Sequence, residues 1–226
     1  MAHDEALQYG ALIRAHLAAD DPFLYGTQWG DPRHGTLRYL VERYARRRKI
    51  PGDLSRVVDR YIRPYVRPSS TVLEIGSGGG RWTQFLLRAR KIIVVEIVPE
   101  FCEYLEHRFG PRFEFYLTSG DEMRGVADAS VDFVFSFGTL VHLPVPVVEA
   151  YVRESFRVLR PGGIAVLQYS DKTKQAAQLP GAQDAGFSAT TGASFPPMCR
   201  DAGFEVLTHD LRLLNHSNII VVRRPS

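Results

Sequence analysis

The fold follows from the stretch Val72-Leu73-Glu74-Ile75-Gly76-Ser77-Gly78-Gly79-Gly80-Arg81-Trp82-Thr83. It opens as a short apolar strand, turns through a run of glycines and continues with the apolar spacing of a helix. Glycine can turn the backbone with positive φ and lets a ligand approach it closely. The acid Glu96 ends the next apolar strand, where a carboxylate can bind both hydroxyls of a ribose. The sequence therefore predicts a site for a nucleotide-like cofactor, formed by this glycine loop and Glu96.

The dinucleotide fingerprint GxGxxG does not fit this loop. Counted from Gly76, its third glycine falls on Arg81, and counted from Gly78 it falls on Thr83. The spacing is instead ExGxGxG, with Glu74 two residues before the first glycine. This loop resembles motif I of the class I S-adenosylmethionine-dependent methyltransferases. A nicotinamide oxidoreductase is the weaker alternative, and a glycine turn without a ligand does not explain why strand, loop and acid occur together.

The resemblance to this family extends over roughly residues 70–225. The stretch Val95-Glu96-Ile97-Val98-Pro99-Glu100 is similar to the family's ribose-binding motif, with Glu96 in place of the commoner Asp. The stretch Leu159-Arg160-Pro161-Gly162-Gly163 is similar to the turn before the family's fifth strand. The resemblance implies S-adenosylmethionine as the cofactor. Replacing Glu96 is expected to weaken cofactor binding and to change the stability of the empty protein little.

The family's adenine-contacting turn resembles Ser119-Gly120-Asp121-Glu122-Met123. Either Asp121 or Glu122 can be the contacting acid, because the spacing to Asp132 admits a shift of one residue. Together with the other motifs, the resemblance implies that the cofactor is bound by the following residues: Glu74, Gly76, Ser77, Gly78, Gly80, Trp82, Thr83, Glu96, Ile97, Gly120, Asp121, Glu122, Phe137 and Gly138.

Strand and helix patterns alternate from residue 71 onward. Such alternation predicts an α/β fold with a doubly wound, mostly parallel sheet, helices on both faces and ligands at the carboxyl ends of the strands. Trp82, Phe85, Leu86 and Ala89 predict a helix directly after the glycine loop. The resemblance implies a Rossmann-like sheet of seven strands, with the last strand antiparallel and inserted between the fifth and sixth.

Residues 1–68 are predicted to form an N-terminal helical cap or lid, and residues 69–226 the core of what is a single domain overall. Residues 38–67 hold ten basic residues against three acidic ones, although the whole chain has a net charge of only +3. A predicted helix C-terminus favours such cations. If the basic run is a binding site, its partner is an acidic carrier protein, a phosphorylated substrate or RNA. The run consists of Arg43, Arg46, Arg47, Arg48 and Lys49.

Methyl transfer from a sulfonium is an in-line displacement that depends mainly on alignment, and an acceptor hydroxyl must also lose a proton. In the family, the stretch after strand four faces the methionine end of the cofactor and the acceptor. Here it reads Phe137-Gly138-Thr139-Leu140-Val141-His142, with no acid and no Asn/Asp-Pro-Pro-Tyr/Phe signature. The missing signature argues against methylation of DNA adenine or glutamine. His142 is the candidate general base, and a structural His142 with catalysis by alignment alone is the alternative.

These features predict a methyltransferase that acts on a small-molecule acceptor, at a hydroxyl oxygen. The residues leave open an RNA methyltransferase that uses the basic run, and a non-catalytic S-adenosylmethionine-binding protein. Cys102 and Cys199 lie in no metal-binding motif, so no metal is predicted. The apolar runs are too short to cross a membrane, and the acidic N-terminus predicts no signal peptide. A cytoplasmic enzyme is therefore expected.

Two further regions, outside the motifs described above, carry polar or small residues. Residues 171–194 are too long for an ordinary connection, and a substrate lid and a plain loop are equal interpretations. Four polar residues flank the last two predicted strands and are interpreted as turn formers. They are His209, Asn215, His216 and Asn218.

Overall fold

The computed structural model describes Ala15 and residues 56–118, 122–178 and 188–226. Its strands are β1 (Thr71–Ile75), β2 (Lys91–Glu96), β3 (Phe113–Leu117), β4 (Val131–Ser136), β5 (Leu159–Ser170), β6 (Glu205–Asp210) and β7 (Ser217–Arg223). They form one sheet in the order β3-β2-β1-β4-β5-β7-β6. β1 to β5 are parallel, and β7 runs antiparallel to both β5 and β6. This confirms the predicted seven-stranded α/β sheet, including the place and direction of its last strand.

One edge of this sheet collects the residues from which the site is built. β1, β2, β4 and β5 all end there, because parallel strands share a direction. The antiparallel pair adds the end of β6 and the start of β7, since Ser217 pairs with Ser170 and Asp210 pairs with Ile219. We call this edge the carboxyl edge.

Each face of the sheet is covered by a separate apolar core. One core contains Leu73 of β1 and Leu167 of β5, packed under α2 (Val145–Val158) and α3 (Phe195–Asp201). The other contains Phe133 and Phe135 of β4. All five residues of β1 are buried, as expected for a parallel strand covered on both faces.

The helix boundaries follow from proline and glycine. Proline stands in the first turn of α1 (Pro99–Phe109), where its missing N–H removes no helical hydrogen bond. Gly110 ends α1 with a φ of +80°. One face of α2 is buried, through Val148, Tyr151, Val152, Ser155 and Val158.

The helix predicted directly after the glycine loop is wrong. Only Thr83–Phe85 is helical, as one 3₁₀ turn, and its neighbours form isolated turns. The bonds Phe85 N–H to Trp82 O and Leu86 N–H to Thr83 O join residues three apart. Gly80 enters this region with positive φ, so the preceding backbone is not in the helical conformation that would start an α-helix. The apolar spacing indicates which side chains face the core, but it does not indicate whether the backbone there forms an α-helix or a 3₁₀ turn.

The turn predicted at residues 159–163 is an interruption inside β5. The β4–β5 register shifts between the pairs Val131–Leu159 and Phe133–Ile164, so additional β5 residues lie opposite Asp132. Arg160 Nη1 donates to Asp132 Oδ1 at 2.8 Å and fixes this irregularity. Strand five therefore begins earlier than the turn motif indicates.

The described part of the N-terminal segment packs on the sheet. Val57, Val58 and Ile62 are buried in the same core as Phe133, around a π-helical turn at Val58–Ile62. The rest of the predicted N-terminal cap, including the basic run at residues 43–49, lies outside the described residues apart from Ala15. Within the part of the chain that the structure describes, no helix is long and apolar enough to span a membrane.

Candidate active site

The glycine loop is shaped by neighbouring side chains of the protein itself. Gly76, Gly78 and Gly80 have φ values of 68°, 50° and 78°. A Cβ on Gly76 would lie 2.1 Å from Thr139 Oγ1, and one on Gly80 would lie 2.7 Å from Phe109 Cε2. The sequence assigned these glycines to a turn and to the approach of a ligand. The structure adds a packing reason, because other residues fill the space that a side chain would need.

Glu96 contacts the glycine loop directly and is only 5% exposed. Its carboxylate accepts hydrogen bonds from Ser77 Oγ at 3.3 Å, Gly78 N at 3.2 Å, Ile97 N at 2.9 Å and Val98 N at 3.3 Å. Burial raises the pKa of Glu96, and these hydrogen bonds oppose the rise. Glu96 thus joins the loop to the turn after β2. These hydrogen bonds predict a larger loss of stability on replacing Glu96 than the small change expected from the sequence.

Glu74, the acid of the loop motif, is a second buried carboxyl group and is 2% exposed. Thr83 Oγ1 donates to Glu74 Oε2 at 2.6 Å. Burial raises the pKa of Glu74 to about 8; the hydrogen bond from Thr83 opposes the rise, and the negative charge of Glu96 adds to it. This raised pKa favours the protonated form of Glu74 at neutral pH.

Trp82 and Phe137 come together beside the glycine loop. Their ring centroids are 4.4 Å apart, and Trp82 also lies 6.0 Å from the ring of Phe135. Trp82 is buried, whereas Phe137 remains partly exposed. The structure thus brings these two predicted cofactor residues, one from the loop and one from the end of β4, into one aromatic group.

The adenine-contacting turn is only partly described. Gly120 and Asp121 lie outside the described residues. The carboxylate of Glu122 accepts from Arg124 Nε at 2.6 Å, and its backbone carbonyl accepts from Thr118 Oγ1 at 2.7 Å. The choice between Asp121 and Glu122 stays as the sequence left it.

The loop after β4, residues 138–143, lies between the glycine loop and the outer strands. Gly138 is exposed with a φ of +86°. Thr139 Oγ1 lies 3.1 Å from Ile75 O, which attaches this loop to the end of β1. His142 is exposed, and its backbone N–H donates to Thr139 O at 3.1 Å. Burial lowers the pKa of His216, and the charge of His142 lowers it further.

Sequence reasoning missed Gln168, a buried residue near the end of β5. Its Oε1 accepts from Gly138 N at 2.6 Å, and its Nε2 donates to Ser217 Oγ at 2.8 Å. The available signal was a polar residue within an otherwise apolar strand pattern. Such a residue must find hydrogen-bond partners when it is buried.

The interpretation of His209 and Asn218 as turn formers is wrong. His209 lies in β6 and Asn218 in β7, and both hydrogen-bond the hydroxyl of Tyr169. Asn218 Nδ2 also donates to Asp171 Oδ2 at 2.8 Å. Their hydrogen bonds to Tyr169 on β5 hold both side chains within the sheet and not in a turn. Of the four residues, Asn215 and His216 do lie in the turn between β6 and β7.

The second described end of residues 171–194 is anchored to the residues around it. Ser188 N donates to Val141 O at 2.7 Å, and Thr190 Oγ1 donates to Ser170 O at 2.7 Å. The middle of this segment, residues 179–187, lies outside the described residues. Among the residues that the structure describes, no group of three or more His, Cys, Asp or Glu side chains is arranged to hold a metal ion.

Comparison with known proteins places this geometry in a family. Residues 72–163 match a family model described as a methyltransferase domain. The human thiol S-methyltransferase TMT1A is 34% identical over 109 residues, which are 45% of this chain and 44% of that protein. A probable ribosomal RNA small subunit methyltransferase A of Methanosarcina acetivorans is 30% identical over 119 residues, 52% of this chain and 41% of that protein. The matched stretch thus spans less than half the length of each relative.

Solved structures agree on the fold. An S-adenosylmethionine-dependent methyltransferase from Mesorhizobium loti superposes with a TM-score of 0.62 at 14% identity, covering 78% of this chain and 97% of that chain. The matched domain, the strand order and the glycine loop together identify the core of the chain, at residues 72–163, as a methyltransferase domain of the class I S-adenosylmethionine-dependent type. Its cofactor is S-adenosylmethionine. Both conclusions confirm the sequence-based prediction.

Replacing Glu96 with Ala is expected to affect both folding and binding. The change leaves the N–H groups of Gly78 and Ile97 without their acceptor, so the melting temperature of the empty protein should fall. If Glu96 binds the ribose, S-adenosylhomocysteine affinity by calorimetry should fall by at least about tenfold, since hydrogen bonds to an ionised group contribute about 1.5–3 kcal/mol each.

The matched control is Asp171→Ala, which removes another buried carboxylate that accepts backbone hydrogen bonds, from Thr173 and Gly192. It should lower the melting temperature and leave S-adenosylhomocysteine affinity near that of the wild type. Equal affinity in the two variants would show that Glu96 has only a structural role.

Glu74 predicts a pH dependence of stability. The folded protein retains this proton up to a pKa of about 8, whereas the unfolded chain loses it near the ordinary value of 4.5. The free energy of unfolding should therefore fall as the pH rises through this window. Denaturant titrations of the empty protein at pH 5 to 8 should show a steeper fall in the wild type than in Glu74→Gln. Because Glu96 is present in both, parallel curves would mean that Glu74 ionises normally.

Proposed function

We propose that this protein transfers the methyl group of S-adenosylmethionine to a small-molecule acceptor, and that a thiol is the preferred acceptor. The observation that carries the proposal is the match of the methyltransferase core to thiol S-methyltransferases, at 34% identity over 109 residues of the human relative. The sequence-based expectation was a hydroxyl, and it remains the second acceptor to test.

The chemistry of the described site supports a thiol. The loop after β4 offers no carboxylate, and His142 at its end is exposed. A thiol has a pKa of about 8.5, so a small fraction is already a strongly nucleophilic thiolate at neutral pH. An aliphatic hydroxyl is far less acidic and depends much more on a general base. A site that supplies mainly alignment therefore suits sulfur better than oxygen.

In this proposal the cofactor lies along the glycine loop, with Glu96 on its ribose and the Trp82–Phe137 aromatic group beside it. S-adenosylmethionine supplies an activated methyl group when bound. The chain's own residues then fix the loop after β4, which carries His142 towards the acceptor side of the carboxyl edge. His142 accepts the acceptor's proton where the acceptor is not already ionised.

RNA is the second candidate acceptor, because the ribosomal RNA methyltransferase of Methanosarcina acetivorans matches 52% of this chain. The basic run at residues 43–49 would provide the phosphate contacts in that case. Binding of this kind weakens steeply with salt. Salt-dependent RNA binding, together with methylation of RNA and none of small thiols, would replace the small-molecule proposal.

The test of function is a measurement of S-adenosylhomocysteine release with matched acceptors. Pairs of compounds that differ only in carrying –SH or –OH should show turnover with the thiol and much slower turnover with the alcohol. Methyl transfer is confirmed by mass spectrometry of the product. Faster methylation of the alcohols would restore the hydroxyl assignment. If neither class of compound nor RNA causes S-adenosylhomocysteine release, the protein binds the cofactor without transferring its methyl group.

His142→Ala separates the two acceptor chemistries. With a hydroxyl acceptor, loss of a general base should lower kcat by about 10²–10⁴. With a thiol acceptor the loss should be much smaller, and it should shrink further as the pH approaches the thiol pKa, since the substrate then ionises without help. S-adenosylhomocysteine affinity should not change. A well-folded variant with wild-type kcat and pH profile on both acceptors would show that His142 does not act as a base.

A further inference from the structure

Gln168 connects three strands at the carboxyl edge through one buried amide. It is 2% exposed and lies in β5. Its Oε1 accepts from the backbone N–H of Gly138 at 2.6 Å, just after β4, and its Nε2 donates to Ser217 Oγ at 2.8 Å, at the start of β7. The orientation of the amide is fixed chemically, because a backbone N–H can only donate.

Gly138 is a residue whose backbone conformation is not fixed by packing. Its φ is +86°, and a Cβ at this position would find nothing within 4 Å. Glycine visits many backbone conformations at similar energy. The hydrogen bond to the buried Gln168 therefore selects one of them, and it does so at the point where the chain leaves β4.

The loop after β4 has a second anchor on the cofactor side. Thr139 Oγ1 lies within hydrogen-bond distance of Ile75 O and Gly76 O, at 3.1 and 3.2 Å. The loop is thus held towards the glycine loop by Thr139 and towards the outer strands by Gln168. His142 follows these two anchors directly in the chain.

A buried amide elsewhere in the sheet shows what a purely structural role looks like. Asn218 is fully buried in β7 and donates to Tyr169 and Asp171. Neither partner belongs to the loop after β4. Gln168 differs because one of its two partners is the backbone of that loop.

We propose that Gln168 is a positioning residue for methyl transfer, which holds the loop after β4 in the conformation that aligns the acceptor with the methyl group. The inference rests on the proposed function, and it adds a residue that the cofactor motifs do not include. Misplacement by about 1 Å can cost about a hundredfold in rate, so a single such hydrogen bond can matter to catalysis.

The experiment compares Gln168→Leu, Gln168→Glu and the control Asn218→Leu. Gln168→Leu should lower kcat by about 10–100-fold with little change in S-adenosylhomocysteine affinity, because alignment is lost and the cofactor side is intact. Gln168→Glu should recover most of the rate, since a carboxyl group in either protonation state offers an oxygen to Gly138 N. Asn218→Leu should lower the melting temperature and keep a kcat close to that of the wild type per folded protein.

Hydrogen–deuterium exchange on the whole 226-residue chain without added acceptor provides the second readout. Peptides that cover residues 137–143 should exchange faster in Gln168→Leu than in the wild type, and should be unchanged in Asn218→Leu. Unchanged exchange in Gln168→Leu would overturn the proposal. So would a kcat that is unaffected by this change, a Gln168→Glu variant as slow as Gln168→Leu, or an equal loss in Asn218→Leu.

This design separates the two hypotheses. If no acceptor releases S-adenosylhomocysteine from the wild type, the proposed function fails while the exchange measurement still decides whether Gln168 holds the loop. If the wild type turns over and Gln168→Leu does so equally well, the proposed function stands and the positioning role is wrong.

Discussion

The structure around the glycine loop depends on the hydrogen bonds that the carboxylate of Glu96 accepts. It is buried at the end of β2 and accepts hydrogen bonds both from the glycine loop and from the turn that leads into α1. A buried carboxylate is costly unless its lone pairs are satisfied. These donors supply that compensation, and in return their own backbone conformations are fixed. Glu96, which is expected to bind the cofactor, therefore also fixes the conformation of the glycine loop.

The glycine loop illustrates how one sequence feature satisfies two constraints. The first and third glycines have the positive φ that the turn requires. They also leave room for Thr139 and Phe109, which come from distant parts of the chain. The loop after β4 can approach the cofactor loop because Gly76 has no side chain. The glycine loop and the loop after β4 are thus coupled by packing, through the contact between Thr139 and Gly76.

The outer part of the carboxyl edge is held together differently, by polar side chains spread over β5, β6 and β7. Gln168 joins β4 to β7, while Tyr169 joins β5 to His209 and Asn218 on the two outer strands. Each of these bonds joins residues that are far apart in the chain, and the bonds to Ser217 and Asn218 form because β7 lies beside β5. The insertion of β7 between β5 and β6 brings the start of β7 to the carboxyl edge.

The sequence by itself determined the class of fold, the cofactor and the residues at the ends of β1 and β2, because these depend on local features: apolar strands, a glycine spacing and an acid at a fixed distance. Only the tertiary structure decided that Trp82 is followed by a 3₁₀ turn, that Glu96 stabilises its own loop, and that His209 and Asn218 lie in strands. The same holds for Gln168 as a link between strands. The physical reason is that buried polar groups are placed by their hydrogen-bond partners, and the pairing of strands distant in sequence selects those partners.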